Sequence, residues 1–538
     1  MEIGRRVYHL SILIVVLFVI MSGTLVYWQV DVAGKVVSNP RNMRLCLETN
    51  VPLRGRIFDR NGVLLADMQP DARACGGVIR HYYEPSLAGL IGYYAGPNYP
   101  ATGLEARYND TLMGKQGQRY LDEQYKKLVH RRVVGNDLYL TIDVRIQRAV
   151  NKAFDTPLLE QDPDQVAATN RGAAIVTNPH TGQILAMLSR PAFDPNKLVK
   201  TLAHGDESYY RQLVAQVENP LLFRPLLGLY TPGSTYKTVT LSGALDTGTT
   251  TLDHVYDPEY TKGPVVLGQH LFHPQMSNIL GYTVDFHIST NYGFAHSDNI
   301  LFAKLGQDMG LDRWLEFNKR FFVGQSIPFE LPVARSSVLK ADGTLDENML
   351  VDNAFGQGVD FITPLQMELF NSAIANGGQL MQPVVTLKMT RPDGEPLSIF
   401  APKELGKRQM QQRTALDTQQ AMYGVVRCGS GSLEATTLAH SPWGIIAKTS
   451  TGELGGDRLA HSWLITQAPY AIQHPEQAPT LTITAMRENG GEGGSAIGPM
   501  VSAMYQEIFS KGYVKVEQPA APPATYCCDA KLLQLGCG

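Results

Sequence analysis

The chain has 538 residues, 44% of them hydrophobic and 18% charged, with a formal net charge of -3. That is ample apolar material for a large core and too much length for one ordinary domain. The charge is too small and too evenly spread for a nucleic-acid-binding field or an acidic interaction tail.

The first informative segment runs from Tyr8 to Trp28, an uncharged apolar stretch long enough to cross a bilayer as a helix. Arg5 and Arg6 precede it and Asp31 follows, so residues 1–7 are expected in the cytoplasm and the rest of the chain outside it. The alternative is a cleaved signal peptide, for which Val32-Ala33-Gly34 is the only hint of a cleavage site. All six cysteines (Cys46, Cys75, Cys428, Cys527, Cys528 and Cys537) follow the span, in a compartment that permits disulfides. Three crowd the last stretch without a Cys-x-x-Cys pair and matching histidines, which favours disulfides or free thiols over a metal site.

Residues 30–165 mix short apolar runs with turn residues and one helical candidate over Gly117 to Leu128, and read as a separate module. A second unit is expected over 166–512. It opens with GAAIVTNPHTGQILAML, two strand-like runs joined by a turn, the signature of a hairpin with a buried face. Apolar helical stretches follow, and strand-like runs return at GIIAKTS, SWLITQA and TLTITAM. Late strands packed with intervening helices imply an α/β layered domain. Residues 513–538 contain a Pro- and Ala-rich run and read as an extended tail.

The strongest local signal is Thr231-Pro232-Gly233-Ser234-Thr235-Tyr236-Lys237, where Pro-Gly punctuates the chain before the plausible helix TVTLSGALD. Ser234 then sits on the first turn, with Lys237 on the same face. Such a pair is a nucleophile with its base, provided that desolvation or nearby positive charge lowers the lysine pKa. Alone the motif is weak, because ordinary residue frequencies give roughly a couple of chance Ser-x-x-Lys matches in a chain this long. Ser337-Val338-Leu339-Lys340 is another, and a solvated turn is the ordinary reading of either.

Two further motifs follow in order: Ser297-Asp298-Asn299, then Lys448-Thr449-Ser450-Thr451-Gly452 on a strand-like run ending in a Gly turn. The triplet supplies a second hydroxyl to move a proton and an amide to hold a peptide group. Lys448 supplies a cation for a carboxylate, and the threonines supply hydroxyls and backbone groups along an edge where an extended peptide can add. The order is that of the active-site serine penicilloyl enzymes.

On these motifs the sequence resembles the class B penicillin-binding proteins, and the likeness covers most of the chain. RGRIFDRNGVLLA, TGLEARYNDTLMGKQG and NDLYLTIDVRIQ are similar to the family's pedestal. RGAAIVTNPHTGQILAMLSRPAFDPN, NPLLFRPLLGLYTPGSTYK and AFGQGVDFITPLQM are similar to its transpeptidase domain. The resemblance implies an α/β transpeptidase fold: a central antiparallel sheet flanked by helices and an all-helical subdomain, with a β-rich N-terminal pedestal and one transmembrane helix. It implies a D,D-transpeptidase in which Ser234 attacks the D-Ala-D-Ala end of a peptidoglycan stem peptide, releases the terminal D-alanine and forms an acyl-enzyme that a neighbouring amine resolves. By the same carry-over, Lys237 is the base, Ser297 relays protons to the leaving group, and Asn299 orients the donor amide. Lys448 and Thr449 hold the carboxylate region, and the N–H groups of Ser234 and Thr451 form the oxyanion hole. Also implied are β-lactam binding, a SEDS-type glycan polymerase as partner, a role in division or elongation, an inner-membrane location with the catalytic domain extracytoplasmic, and no metal or organic cofactor.

The chain departs from the pattern at Ser450, where the family usually has glycine. A Cβ and hydroxyl there could narrow the groove or add a hydrogen bond, and altered β-lactam affinity is expected. The run Gly490-Gly491-Glu492-Gly493-Gly494-Ser495-Ala496 only partly imitates a dinucleotide loop and reads as a turn after a strand. Neither a His-Glu-x-x-His spacing nor a Gly-x-Ser-x-Gly elbow is present. The rival functions are a D,D-carboxypeptidase or β-lactamase using water as acceptor, and a non-catalytic wall-complex scaffold or β-lactam sensor.

Overall fold

The structure is a computed structural model and describes residues 2–32, 53–115, 134–155, 170–256, 264–272, 288–429, 438–456 and 458–516. The helical candidate at Gly117 to Leu128 and most of the C-terminal tail, with its three cysteines, lie outside the described residues. Of the other cysteines, Cys75 is disulfide-bonded.

The chain begins with a helix over Glu2–Val26. Within it and the following turn, Val7–Gln29 forms a 23-residue stretch of mean hydropathy 2.6, none of it buried. Side chains such as Leu13, Val15 and Phe18 are exposed along it, as a bilayer-facing helix of this length requires.

The predicted hairpin forms between Gly172–Asn178 and Gln183–Arg190. It joins the three predicted late strands in one five-stranded antiparallel sheet, in the order Ile446–Gly452, His461–Ala468, Leu481–Arg487, Gly172–Asn178, Gln183–Arg190. Leu481–Arg487 is buried along its whole length, because both faces of the sheet are covered. On one face Thr466 meets Tyr505 of the Gly493–Ser510 helix; on the other Thr484 meets Asn371 of the Pro364–Ala375 helix. The latter helix starts where its sequence says it should, with Thr363 accepting from the Gln366 N–H at 3.1 Å and Pro364 in the first turn.

A helical layer beside the sheet is built around Lys237–Asp246, in which Lys237 through Ala244 are all buried. A helix covered on every side cannot be amphipathic, and its hydroxyls must find partners internally. Thr238 donates to the Thr235 carbonyl at 2.6 Å, Thr240 to that of Ala354 at 2.7 Å and Ser242 to that of Thr238 at 2.7 Å. Thr290–Ala295, Asn299–Met309, Leu311–Arg320 and Gln412–Cys428 complete this layer.

The N-terminal sheet has six strands, in the order Pro396–Ile399, Thr386–Thr390, Asp137–Leu140, Ile57–Phe58, Leu64–Pro70, Val78–Tyr82. Two of these strands come from the second unit, more than two hundred residues later in the chain than their neighbour Asp137–Leu140. This sheet is therefore completed by strands from far along the chain, on the other side of the boundary expected near residue 165.

Candidate active site

Gly233 adopts φ +53°, turning the chain into a short 3-10 segment over Gly233–Tyr236 that runs on into the Lys237–Asp246 helix. Ser234 is half-buried on that turn. The turn is held from several sides. Thr235 donates to the Pro232 carbonyl at 2.7 Å, the Gly233 N–H donates to the Gly356 carbonyl at 2.8 Å, and the Trp463 indole donates to the Thr231 carbonyl at 3.0 Å.

Lys237 follows one helical turn later and is fully buried. Its Nζ donates to the Ser297 carbonyl at 2.5 Å and to Asn299 Oδ1 at 2.6 Å, and lies 3.3 Å from Ser297 Oγ. The Ser234 hydroxyl has no hydrogen-bond partner among the described residues, so the pair expected from spacing shares a turn without a direct bond. The ammonium's donors are already engaged by Ser297 and Asn299, and catalytic hydrogen bonds often close only when substrate is bound. Burial lowers the Lys237 pKa to about 7, with the Asp298 carboxylate opposing the shift. The rings of Phe302 and Phe355 lie 5.6 and 6.0 Å from Nζ and supply much of that apolar shell.

Ser297 sits between two helices with φ +60°, an uncommon conformation for serine, which turns both its carbonyl and its hydroxyl toward the lysines. Asp298 caps the Asn299–Met309 helix by accepting from the Leu301 N–H at 2.8 Å. Burial raises its pKa, while that N–H and Lys237 hold the rise back.

Lys448 reaches the same point from the sheet. Fully buried, its Nζ donates to Ser297 Oγ at 2.9 Å and to the Thr449 carbonyl at 2.9 Å. Burial, reinforced by Lys237, pushes its pKa well below the usual lysine range. Two lysines thus share one serine oxygen. The strand carrying Lys448, Ile446–Gly452, is at the end of its sheet and pairs with His461–Ala468 on one side. Thr449 and Thr451 are half-buried on it, while Ser450 is 3% exposed and donates to the Pro232 carbonyl at 2.6 Å.

All eight residues singled out in the sequence meet around this turn and strand edge. The second Ser-x-x-Lys match does not join them: Ser337 bonds the backbone of Leu339, and Lys340 pairs at the surface with Asp346. The dual role of Asp298, as helix cap and as counter-charge to Lys237, went unread in the sequence. Its position before the apolar run NILFAKL was the available signal. The rings of Phe302 and Phe355 and the carbonyl of Pro232 carried no such signal.

The profile of the family described as the penicillin binding protein transpeptidase domain matches residues 172–506. The chain is 28% identical to the peptidoglycan D,D-transpeptidase PbpA of Mycolicibacterium smegmatis, over 93% of this chain and 96% of that one. It is 25% identical to the peptidoglycan D,D-transpeptidase MrdA of Escherichia coli, over 89% and 79%. Among solved structures, penicillin-binding protein A from M. tuberculosis as its imipenem acyl-enzyme complex superposes with a TM-score of 0.72 at 25% identity, covering 86% of this chain and 99% of that one. A family profile that covers more than half of the chain settles its kinship: it belongs to the penicillin-binding protein transpeptidase family.

Proposed function

We propose that the chain is a serine-type peptidoglycan D,D-transpeptidase and a target of β-lactams. The observation that carries this reading is Lys237: a fully buried amine with its pKa lowered to about 7, one helical turn after the half-buried Ser234. In the acylation step the Ser234 hydroxyl oxygen attacks the carbonyl carbon of the penultimate D-Ala, with Lys237 accepting the hydroxyl proton. The peptide C–N bond then breaks, the proton passes by way of Ser297 to the departing nitrogen, and D-alanine leaves. An amine from a neighbouring peptide attacks the ester, loses a proton, and returns one to Ser234 as the C–O bond breaks.

Lys448 and Thr449 take the substrate carboxylate, Asn299 orients the donor amide, and the N–H groups of Ser234 and Thr451 receive the oxyanion. The donor peptide lies along the open edge of Ile446–Gly452, adding as a strand. The apolar helix at Val7–Gln29 anchors the enzyme in the inner membrane, with Arg5 and Arg6 inside and the catalytic unit outside. A membrane-embedded SEDS-type polymerase contacting the span and pedestal is the matching partner, since the strand to be cross-linked must be made beside it.

The test is intact-mass spectrometry of the full chain after exposure to penicillin, with peptide mapping of the adduct. A single adduct on Ser234 that persists for minutes, and is lost in Ser234→Ala, is expected. Rapid turnover of the penicillin would favour a lactamase, and a folded protein that takes up no adduct would favour a scaffold.

A further inference from the structure

Ser450 stands where the strand edge and the nucleophile turn come closest. Its hydroxyl donates to the Pro232 carbonyl at 2.6 Å, across 218 residues of sequence. A Cβ on Gly233 would stand 2.3 Å from Ser450 Oγ and 2.7 Å from the Thr451 carbonyl oxygen, so turn and strand are in contact there and glycine is required. The strand is backed on its other side as well. Gly493, opening the last helix, passes so close that a Cβ would stand 2.1 Å from the Ser450 carbonyl oxygen, and its N–H donates to Thr451 Oγ1 at 3.4 Å. The Gly-rich run at 490–496, expected as a turn, is non-helical only to Glu492 and from Gly493 is the first turn of the last helix, packed closely against this strand.

We propose that Ser450 is a positioning residue for acylation: its hydroxyl fixes the spacing between the Pro232–Ser234 turn and the edge strand, and so the width of the slot that receives the scissile carbonyl. The inference rests on Ser234 being the nucleophile, as argued above. The slot's two walls are the turn bearing the Ser234 N–H and the strand bearing the Thr451 N–H. Oxyanion donors work only when held at hydrogen-bond distance from the developing charge, and small displacements are costly. A glycine at 450 leaves that spacing to backbone packing alone. Ser450 adds a buried side-chain bond that a strand shift must break. The hydroxyl is spent on Pro232, so the departure from glycine adds a hydrogen bond between turn and strand.

The test is stopped-flow acylation by a chromogenic β-lactam over a range of concentrations, which separates the first-order acylation constant from the dissociation constant of the non-covalent complex. The full-length protein is compared with Ser450→Ala, Ser450→Gly and Ser450→Thr. In the Ala and Gly variants the acylation constant is expected to fall roughly tenfold while the dissociation constant moves by less than about twofold. Ser450→Thr, which keeps a hydroxyl, is expected to recover most of the rate. A merely structural role would lower the adduct stoichiometry and leave the constant of the remaining folded molecules unchanged. An unchanged acylation constant in Ala and Gly, or faster acylation in Gly, overturns the proposal. Absence of an adduct on Ser234 of the unsubstituted protein overturns the reading beneath it, and the proposal with it.

Discussion

At the scale of single residues the chemistry turns on two buried lysines that converge on the Ser297 hydroxyl, Lys448 at 2.9 Å and Lys237 at 3.3 Å. Both are pushed down by burial, Lys237 to about 7 and Lys448 well below its usual range. A lysine with a lowered pKa loses its proton as pH rises through that value, so the basic form of Lys237 grows from the acid side toward neutrality. The second-order acylation constant should therefore climb between about pH 6 and 8, and Lys237→Arg, always protonated, should lose roughly 10²- to 10⁴-fold. A flat profile over that interval would remove Lys237 as the base. Lys448 gives the opposite signature: a bound carboxylate favours its charged form, so ligand binding should draw a proton from solution. Calorimetry in buffers of different ionisation enthalpy measures this directly, and a ligand lacking the carboxylate should take up none.

At the scale of elements, the segments RGRIFDRNG and TGLEAR meet, with Arg80, in one buried cluster. Glu105 accepts from Arg54 Nε at 2.5 Å and from Arg80 Nε at 2.7 Å, with all three side chains out of solvent. Burial alone would raise the Glu105 pKa, but the two arginines more than compensate and hold it below the ordinary range. Glu105→Ala leaves two guanidinium groups buried without their carboxylate, and such a break costs about 3–5 kcal/mol. Chemical denaturation of residues 33–516 should show that loss, and a change below about 1 kcal/mol would mean that the cluster is solvated or otherwise balanced.

The same elements mark what could be read from sequence. The Gly172–Asn178 hairpin and the three late strands were legible because local alternation and turn residues specify a strand wherever it ends up. The three motifs that meet around Ser297 and the Pro232–Ser234 turn were legible because each needs its own local geometry. What escaped was contact between distant segments: Ser450 on Pro232, Lys448 on Ser297, and the rings of Phe302 and Phe355 about Lys237. No local periodicity encodes those meetings.

At the scale of the whole molecule, the shared N-terminal sheet decides how the two units depend on each other. Thr386–Thr390 pairs antiparallel with Asp137–Leu140, and the Tyr108 hydroxyl bonds Thr386 Oγ1 at 3.0 Å. Glu330 accepts the N–H groups of Val385 and Thr386 at 2.9 and 3.1 Å, and Thr141 donates to the Ile184 carbonyl at 2.7 Å. A catalytic segment cut free near residue 166 would keep Pro396–Ile399 and Thr386–Thr390 but lose the strand beside them. It would expose an unpaired edge and lose the buried Leu138 and Leu140 from the core. Calorimetry should therefore show one cooperative transition for residues 33–516 and a lower, less reversible one for 166–516. The isolated segment should still acylate at Ser234 below its transition, since among the described residues the side-chain hydrogen bonds of Lys237 and Lys448 go to residues of that segment alone. Equal melting temperatures for the two forms would show instead that the shared strands add no coupling, and that the pedestal is a spacer carried by the enzyme rather than part of its fold.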